Sequence, residues 1–477
     1  TAPAPAVATT PTPVPPSARP GAGEPDTTLT GSPTPAITSV AAPLPATAGA
    51  PATLTEGWSM PCAWHAASIK LNAETIARPR LGIRMTSRIH APTAAIRSRI
   101  PFEVCHSGRH VDPMPLAADA PLVRLSSTGG LELAGRHWVP RGVNSYPLLQ
   151  HAAAGRLQDI QDIFAQARSL GRPLLRAPAF LDSGDGPAPT RDARGRALEA
   201  GLRALETLLA LAADGGVRLI LVLANYWPDF GGVPALLEMV APGERLPRDA
   251  FFVDERAIAS QLAYQAALVS RVNHVNGRAY ARDPSICAWE LMNEARSPRW
   301  LFRFRRAPLE LARWARRMSD GLRTAGARQL IAWGGSGYLG QHGEDLRRIA
   351  AEGGVDLLTL HMYGTALRAW PGRRRADAAI AWGERCITSR VRVARAAGLP
   401  LLLEEVSWKP GSGGDLERAR VRGAWLEIAD GLGVGTLPWM IGERGRVDYD
   451  GYLIRPEDLA TLSVLRKCQP SRNWDRL

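Results

Sequence analysis

From Trp138 onward, short runs of Val, Leu and Ile alternate with longer stretches in which apolar residues recur at helical spacing. The short runs predict strands at 138–146, 173–180, 217–224, 285–292, 329–333, 356–361, 400–405 and 434–440. Between them lie amphipathic segments. From Arg194 to Asp214, for instance, Leu198, Leu202, Leu205, Leu208 and Leu209 form a core-facing stripe, and Gly215-Gly216 stops the helix before the next strand. Eight strands alternating with about eight helices predict an α/β fold, a closed (β/α)8 TIM barrel. Ahead of it, Leu131 to Val139 with Ala134-Gly135 as the turn predicts a hairpin closing the barrel bottom.

Two of the apolar strands run directly into acid. Asp283-Pro284-Ser285-Ile286-Cys287-Ala288-Trp289-Glu290-Leu291-Met292 ends in Asn293-Glu294, and Leu399-Pro400-Leu401-Leu402-Leu403 ends in Glu404-Glu405. An ionisable group carried by a strand covered on both faces needs a partner or a task. In a parallel barrel the carboxyl ends of all strands converge on one face, so the two acids are expected in one pocket. Paired carboxylates suit glycosidic bond cleavage: one protonates the leaving oxygen, the other attacks the anomeric carbon or activates water. Separation decides between the two outcomes, about 5 Å for retention and about 8 Å for inversion.

Other strand ends carry groups suited to sugars: Arg141-Gly142-Val143-Asn144-Ser145-Tyr146, Arg176, Asn225-Tyr226-Trp227, His361-Met362-Tyr363 and Trp439. Trp227 and Trp439 offer flat faces for the C–H side of a pyranose. Together with the segments NYWPDFGG, DAFFVDERA and HVNGRAYARDPSICAWELMNEAR, the chain from about Leu131 to Met440 resembles the retaining glycoside hydrolases of family 5, most of all the endo-β-1,4-mannanases. That resemblance implies Glu294 as general acid/base and Glu405 as nucleophile, with strand alternation sending Glu404 to the opposite face. It further implies that Arg176 keeps the nucleophile ionised, that Asn293 bonds the sugar 2-hydroxyl, and that His361 and Tyr363 serve the substrate or acid and the nucleophile. Asn225 and Trp227 then contact substrate on strand three, and Trp439 lies under the sugar being cleaved. The implied activity is hydrolysis of β-1,4-linked polysaccharide, mannan first and glucan second, by double displacement without metal or organic cofactor. Transglycosylation on the same scaffold and a catalytically silent sugar-binding protein are the rival readings. The sequence departs from the family at Val406-Ser407-Trp408 after the nucleophile, at Ala295 after the acid and at Gly364 after the tyrosine, which bears on sugar specificity.

Composition divides the chain of 477 residues into three expected regions, 1–57, 58–125 and the catalytic domain 126–477. The first has no Phe, Trp or Tyr and is dominated by Thr, Ala and Pro, which predicts a disordered tail or linker. The second is rich in Arg, broken by Pro, and shows no clear period. The net charge of +13 comes almost wholly from arginine, with lysine only at Lys70, Lys409 and Lys467. These arginines are spread among matching acids, which argues against a nucleic-acid partner. No run of 18 apolar residues occurs, so no membrane span is expected. Cys62, Cys105, Cys287, Cys386 and Cys468 are too dispersed for a zinc site or disulfide scaffold, and Cys287 is expected in the core. With no Met at Thr1 and no signal peptide pattern, the expectation is a mature secreted protein, acting as a monomer on its polysaccharide, or a piece of a larger modular chain.

Overall fold

The computed structural model describes residues 114–182, 187–297, 307–364, 374–409 and 413–467. The expected tail over 1–57 and residues 58–113 of the basic segment lie outside them, as do Cys62, Cys105 and Cys468.

A three-strand antiparallel unit comes first: β1 (Arg124–Leu125), β2 (Leu131–Leu133) and β3 (Arg136–His137). Ala134 and Gly135 both take positive φ, 53° and 72°, as a two-residue hairpin turn requires. Eight parallel strands follow: β4 (Gly142–Asn144), β5 (Leu174–Pro178), β6 (Arg218–Val222), β7 (Ile286–Glu290), β8 (Leu330–Ala332), β9 (Leu358–Tyr363), β10 (Leu401–Ser407) and β11 (Gly435–Pro438). β4 to β8 form one continuous sheet and β9 to β11 another. Single parallel bridges, Arg141 to Thr436 and Ala332 to Leu357, join the two and close the barrel. Each expected strand is present, but the first is shorter than 138–146. Pro140 has no N–H to give the ladder, so pairing with β11 begins at Arg141, and Trp138 belongs to the hairpin through its N–H to the Leu131 carbonyl.

Side-chain alternation sorts the strands into two cores. Leu175, Leu219, Leu221, Trp289, Ile331, Leu360 and Leu403 pack outward against the helices. Leu174, Ile220, Ala288, Leu330, Leu357, Leu402 and Leu437 fill the barrel interior, and Val123, Leu131, Leu133 and Trp138 of the hairpin unit pack onto them. The hairpin therefore plugs the bottom, as its sequence predicts, and the carboxyl ends are left for chemistry. Cys287 lies in this inner core as a free thiol, and Cys386 is a second buried free thiol.

The helix predicted from Arg194 begins later, at Glu199, and runs to Asp214 as α1. Asp192 accepts the backbone N–H groups of Arg194 and Arg196, and this side-chain turn competes with helix over those residues. Leu202, Leu205, Leu208 and Leu209 are all buried on the barrel wall. No helix among the described residues is long and apolar enough to cross a membrane.

Candidate active site

β7 delivers Glu290 into the barrel and is followed by Asn293 and Glu294 at its mouth. Glu294 sits at φ 51°, a strained conformation for a residue with a Cβ, held by its N–H to the Gly334 carbonyl at 2.8 Å. Its Oε2 accepts from Trp227 Nε1 at 2.8 Å and from Arg296 Nη2 at 2.8 Å, and its Oε1 lies 3.1 Å from His361 Nδ1. On the facing strand, Glu405 Oε1 accepts from Arg176 Nη1 at 2.5 Å, and its Oε2 accepts from the Tyr363 hydroxyl. An oxygen of Glu294 and an oxygen of Glu405 lie within 4.8 Å of each other, with a ring nitrogen of His361 inside the same span. All three side chains are buried.

Asn293 Oδ1 accepts from Arg176 Nη2 at 2.8 Å, and its Nδ2 donates to Asn225 Oδ1 at 2.9 Å. Asn225 also binds the Trp227 N–H and the Asp229 carbonyl, so it shapes the loop after β6 and holds Asn293 in place. The paired glycines ending NYWPDFGG have a steric cause: Gly231 and Gly232 take φ 103° and 51°, and a Cβ on Gly232 would come to 1.8 Å from the Trp227 carbonyl oxygen. Gly232→Ala is therefore expected to displace Trp227 from Glu294, costing roughly 1–3 kcal/mol of stability together with activity. Thermal unfolding and kcat/KM of the variant check this.

Trp439 is buried at the end of β11 with its indole N–H on Asp450, and its ring packs 4.9 Å from Tyr146. Phe230, Tyr363, Tyr452 and Leu453 join them in one apolar wall of the mouth. All nine residues expected from sequence thus gather at one end of the barrel, Arg176, Asn225, Trp227, Asn293, Glu294, His361, Tyr363, Glu405 and Trp439.

Glu404 corrects one expectation. It is not turned to the opposite face but is fully buried in the site, with Oε2 3.3 Å from His361 Nε2 and 3.6 Å from Arg176 Nε. Leu402 points inward, so alternation carries Glu404 inward too. Glu405 joins it because the register slips: Leu403 pairs with Leu360 and Glu405 already with His361, so two residues of β10 face one step of β9. A β-bulge is thus what brings two consecutive acids into one pocket.

Glu290, missed at the sequence level, accepts from Arg176 Nε at 2.7 Å and from Nη2 at 2.6 Å, both groups fully buried. Three carboxylates therefore surround one guanidinium. Burial opposes the charge on Arg176, and Glu290, Tyr146, Glu404 and Glu405 outweigh it, so Arg176 is held more firmly protonated than usual. Burial also works to strip the proton from His361, but Glu405, Glu294 and Glu404 prevail and push its pKa up to about 10. Tyr363 keeps its proton to unusually high pH, first through burial and then through Glu405, which fixes it as a donor.

A raised imidazole stabilises the fold fully below its unfolded pKa of about 6.5, and that contribution drains away as pH climbs. Unfolding free energy is therefore expected to fall between about pH 6.5 and pH 10, less steeply in His361→Gln. Urea titrations at stepped pH check this.

Glu294, His361 and Glu405 have ligand-like spacing, yet their oxygens take bonds from Arg176, Arg296, Trp227 and Tyr363. Arg176 on Glu405 and Arg296 on Glu294 already supply the positive charge that a metal cation would bring to these carboxyl groups.

The departures near the nucleophile explain one another. Val406 faces the helix layer, and Trp408 is also turned away from the mouth, with its indole N–H on Glu417 and its ring against Trp425. Neither side chain therefore lines the mouth beside Glu405. A Cβ at Gly364 would lie 2.0 Å from the Trp408 ring, so glycine there follows from the tryptophan.

A family model described as GH family 5 beta-mannosidase-like matches residues 187–411, the stretch that carries NYWPDFGG, Glu294 and Glu405. The chain belongs to glycoside hydrolase family 5. Among its relatives, mannan endo-1,4-beta-mannosidase 3 of Oryza sativa subsp. japonica is 31% identical over 329 residues, covering 62% of this chain and 66% of the relative. The alignment thus spans about two thirds of that relative's length. Mannan endo-1,4-beta-mannosidase 3 of Solanum lycopersicum is 28% identical over 68% of this chain and 84% of its own. The X-ray structure of the endo-beta-1,4-mannanase from Thermotoga petrophila superposes with a TM-score of 0.60 at 25% identity, covering 70% of this chain and 77% of that one.

Proposed function

We propose that this chain is a retaining endo-β-1,4-mannanase, secreted and acting as a monomer on β-mannan. The observation that carries the reading is the pair of buried carboxylates within 4.8 Å, one bound by Arg176 and Tyr363, the other by Trp227, Arg296 and His361. That spacing leaves no room for a water between Glu405 and the anomeric carbon, which favours direct attack over inversion. The names of the rice, tomato and Thermotoga relatives support mannan as the polymer.

In the first step a Glu405 oxygen bonds to the anomeric carbon while that carbon's bond to the glycosidic oxygen breaks. Glu294 gives its proton to the departing oxygen, so the aglycone leaves neutral and Glu294 is left as carboxylate. In the second step Glu294 takes a proton from water, whose oxygen displaces Glu405 and restores both groups. Arg176 and the Tyr363 hydroxyl each donate a hydrogen bond to Glu405, which orients its carboxyl group for attack and receives it again on release. Asn293 has one amide N–H on Asn225, which leaves the other for a sugar hydroxyl. The Tyr146, Trp439 and Phe230 wall supplies apolar surface for a pyranose face.

Incubating the full chain with β-mannan, glucomannan, cellulose and xylan tests the substrate. Reducing ends released from β-mannan in a range of oligomer sizes support the reading. Release confined to cellulose moves the assignment to a glucanase, and none from any β-glycan returns it to a binding protein.

A further inference from the structure

Glu290 and Glu404 hang from β7 and β10, which are not adjacent strands, and both reach across the barrel to Arg176. Both are fully buried and converge on one guanidinium nitrogen: Arg176 Nε lies 2.7 Å from Glu290 Oε2 and 3.6 Å from Glu404 Oε2. Neither direct attack nor proton donation uses them. The groups facing the pair are Arg176 from β5, His361 and Tyr363 from β9, Glu405 from β10, Glu294 beyond β7 and Tyr146 beyond β4. Glu404 Oε1 receives no donated bond from the described protein, and Glu404 Oε2 looks at the imidazole. Two like charges converging on one guanidinium nitrogen in a dry interior do not both persist, so one of the two carboxyl groups keeps a proton.

We propose that Glu290 and Glu404 share a single proton and act as a positioning pair of net charge −1, which lets Arg176 hold Glu405 ionised and Glu404 hold His361 beside Glu294. With three full negative charges around one guanidinium, the cheapest site for a proton would include the nucleophile itself, and a protonated Glu405 cannot attack. Storing the proton between the two groups behind Arg176 removes that competition. Burial drives the Glu290 pKa up to about 8 and, although burial acts the same way on Glu404, Arg176 and His361 bring Glu404 below its ordinary value, the divergence expected of two groups with one proton.

The inference rests on the proposed roles of Glu294 and Glu405, and its test has one arm that needs turnover and one that does not. Because the pair carries one charge, Glu290→Gln or Glu404→Gln leaves the remaining partner as the carboxylate and the charge unchanged. The double variant removes it. In pH profiles of kcat/KM on a β-mannan oligomer, each single variant is expected to keep both limbs within a few tenths of a unit, whatever happens to the height of the profile. The double variant should shift both limbs to lower pH by about one unit or more, since removing a negative charge lowers the pKa of every group near it. Either single variant moving the limbs by half of the double's shift overturns the shared proton, and so does a double variant whose limbs stay put. In the infrared arm, the difference spectrum of native protein minus Glu404→Gln at neutral pH should show a protonated-carboxyl band lost with the substitution. Absence of that loss overturns the proposal even if the chain proves inactive on every glycan. Where Glu404→Gln does not fold, Glu290→Gln serves for the same comparison.

Discussion

Replacing Glu405 by Gln is expected to lower kcat/KM on β-mannan by roughly 10,000-fold or more, the scale seen when a nucleophile working in concert with its neighbours is removed. The fold should survive, because a Gln oxygen still accepts from Arg176 Nη1 and the neighbouring acids keep their partners. Glu294→Gln should fall by about 100- to 10,000-fold on the polymer, the range for a lost general acid. It separates from Glu405→Gln on an aryl glycoside with a good leaving group. There the first step needs little protonation, so Glu294→Gln should give a burst of released phenol followed by slow turnover, whereas Glu405→Gln should release none. Stopped-flow absorbance distinguishes the two. If both variants behaved alike, the separate roles given to positions 294 and 405 would be wrong.

The second large effect belongs to Arg176. Its guanidinium is fully buried and touches Glu290, Glu405, Asn144 and Asn293, with Glu404 at 3.6 Å. Arg176→Met keeps much of the volume but takes away the shared cation, and removing one partner of a buried ionic cluster costs about 3–5 kcal/mol. Loss of activity is expected to accompany it, because the Arg176 guanidinium is the group that binds Glu405 Oε1 at 2.5 Å and Asn293 Oδ1 at 2.8 Å. Chemical denaturation should show the destabilisation growing as pH rises, since more of the orphaned acids must then ionise. A loss equal at pH 5 and pH 8 would contradict the electrostatic account.

The barrel was legible in the sequence because each strand is an apolar run bounded by turn residues and each helix carries a leucine stripe. Asn293-Glu294 and Glu404-Glu405 stood out because acids are costly at the ends of such runs, and the family resemblance singled out Glu294 and Glu405 among them. Glu404 was misplaced because alternation holds only along a regular ladder, and a one-residue bulge leaves no mark in the sequence pattern. Glu290 sat within the same strand as Glu294, in an apolar run where its inward direction followed from Ala288, yet its partner lies 114 positions away and nothing local announces it. Arg296 had a local signal: two residues past Glu294, an arginine is within reach of that carboxylate. The direction of Trp408 had no local signal, because its ring is turned from the mouth by packing on Trp425, 17 positions on, and against Gly364.

The sharpest test of the paired-carboxylate mechanism is the anomeric form of the first product, followed by proton NMR while a mannan oligosaccharide is cleaved and before mutarotation intervenes. Carboxyl oxygens within 4.8 Å predict that the new reducing end appears as the β anomer and equilibrates afterwards. An α anomer appearing first would mean inversion, and would contradict direct attack by Glu405.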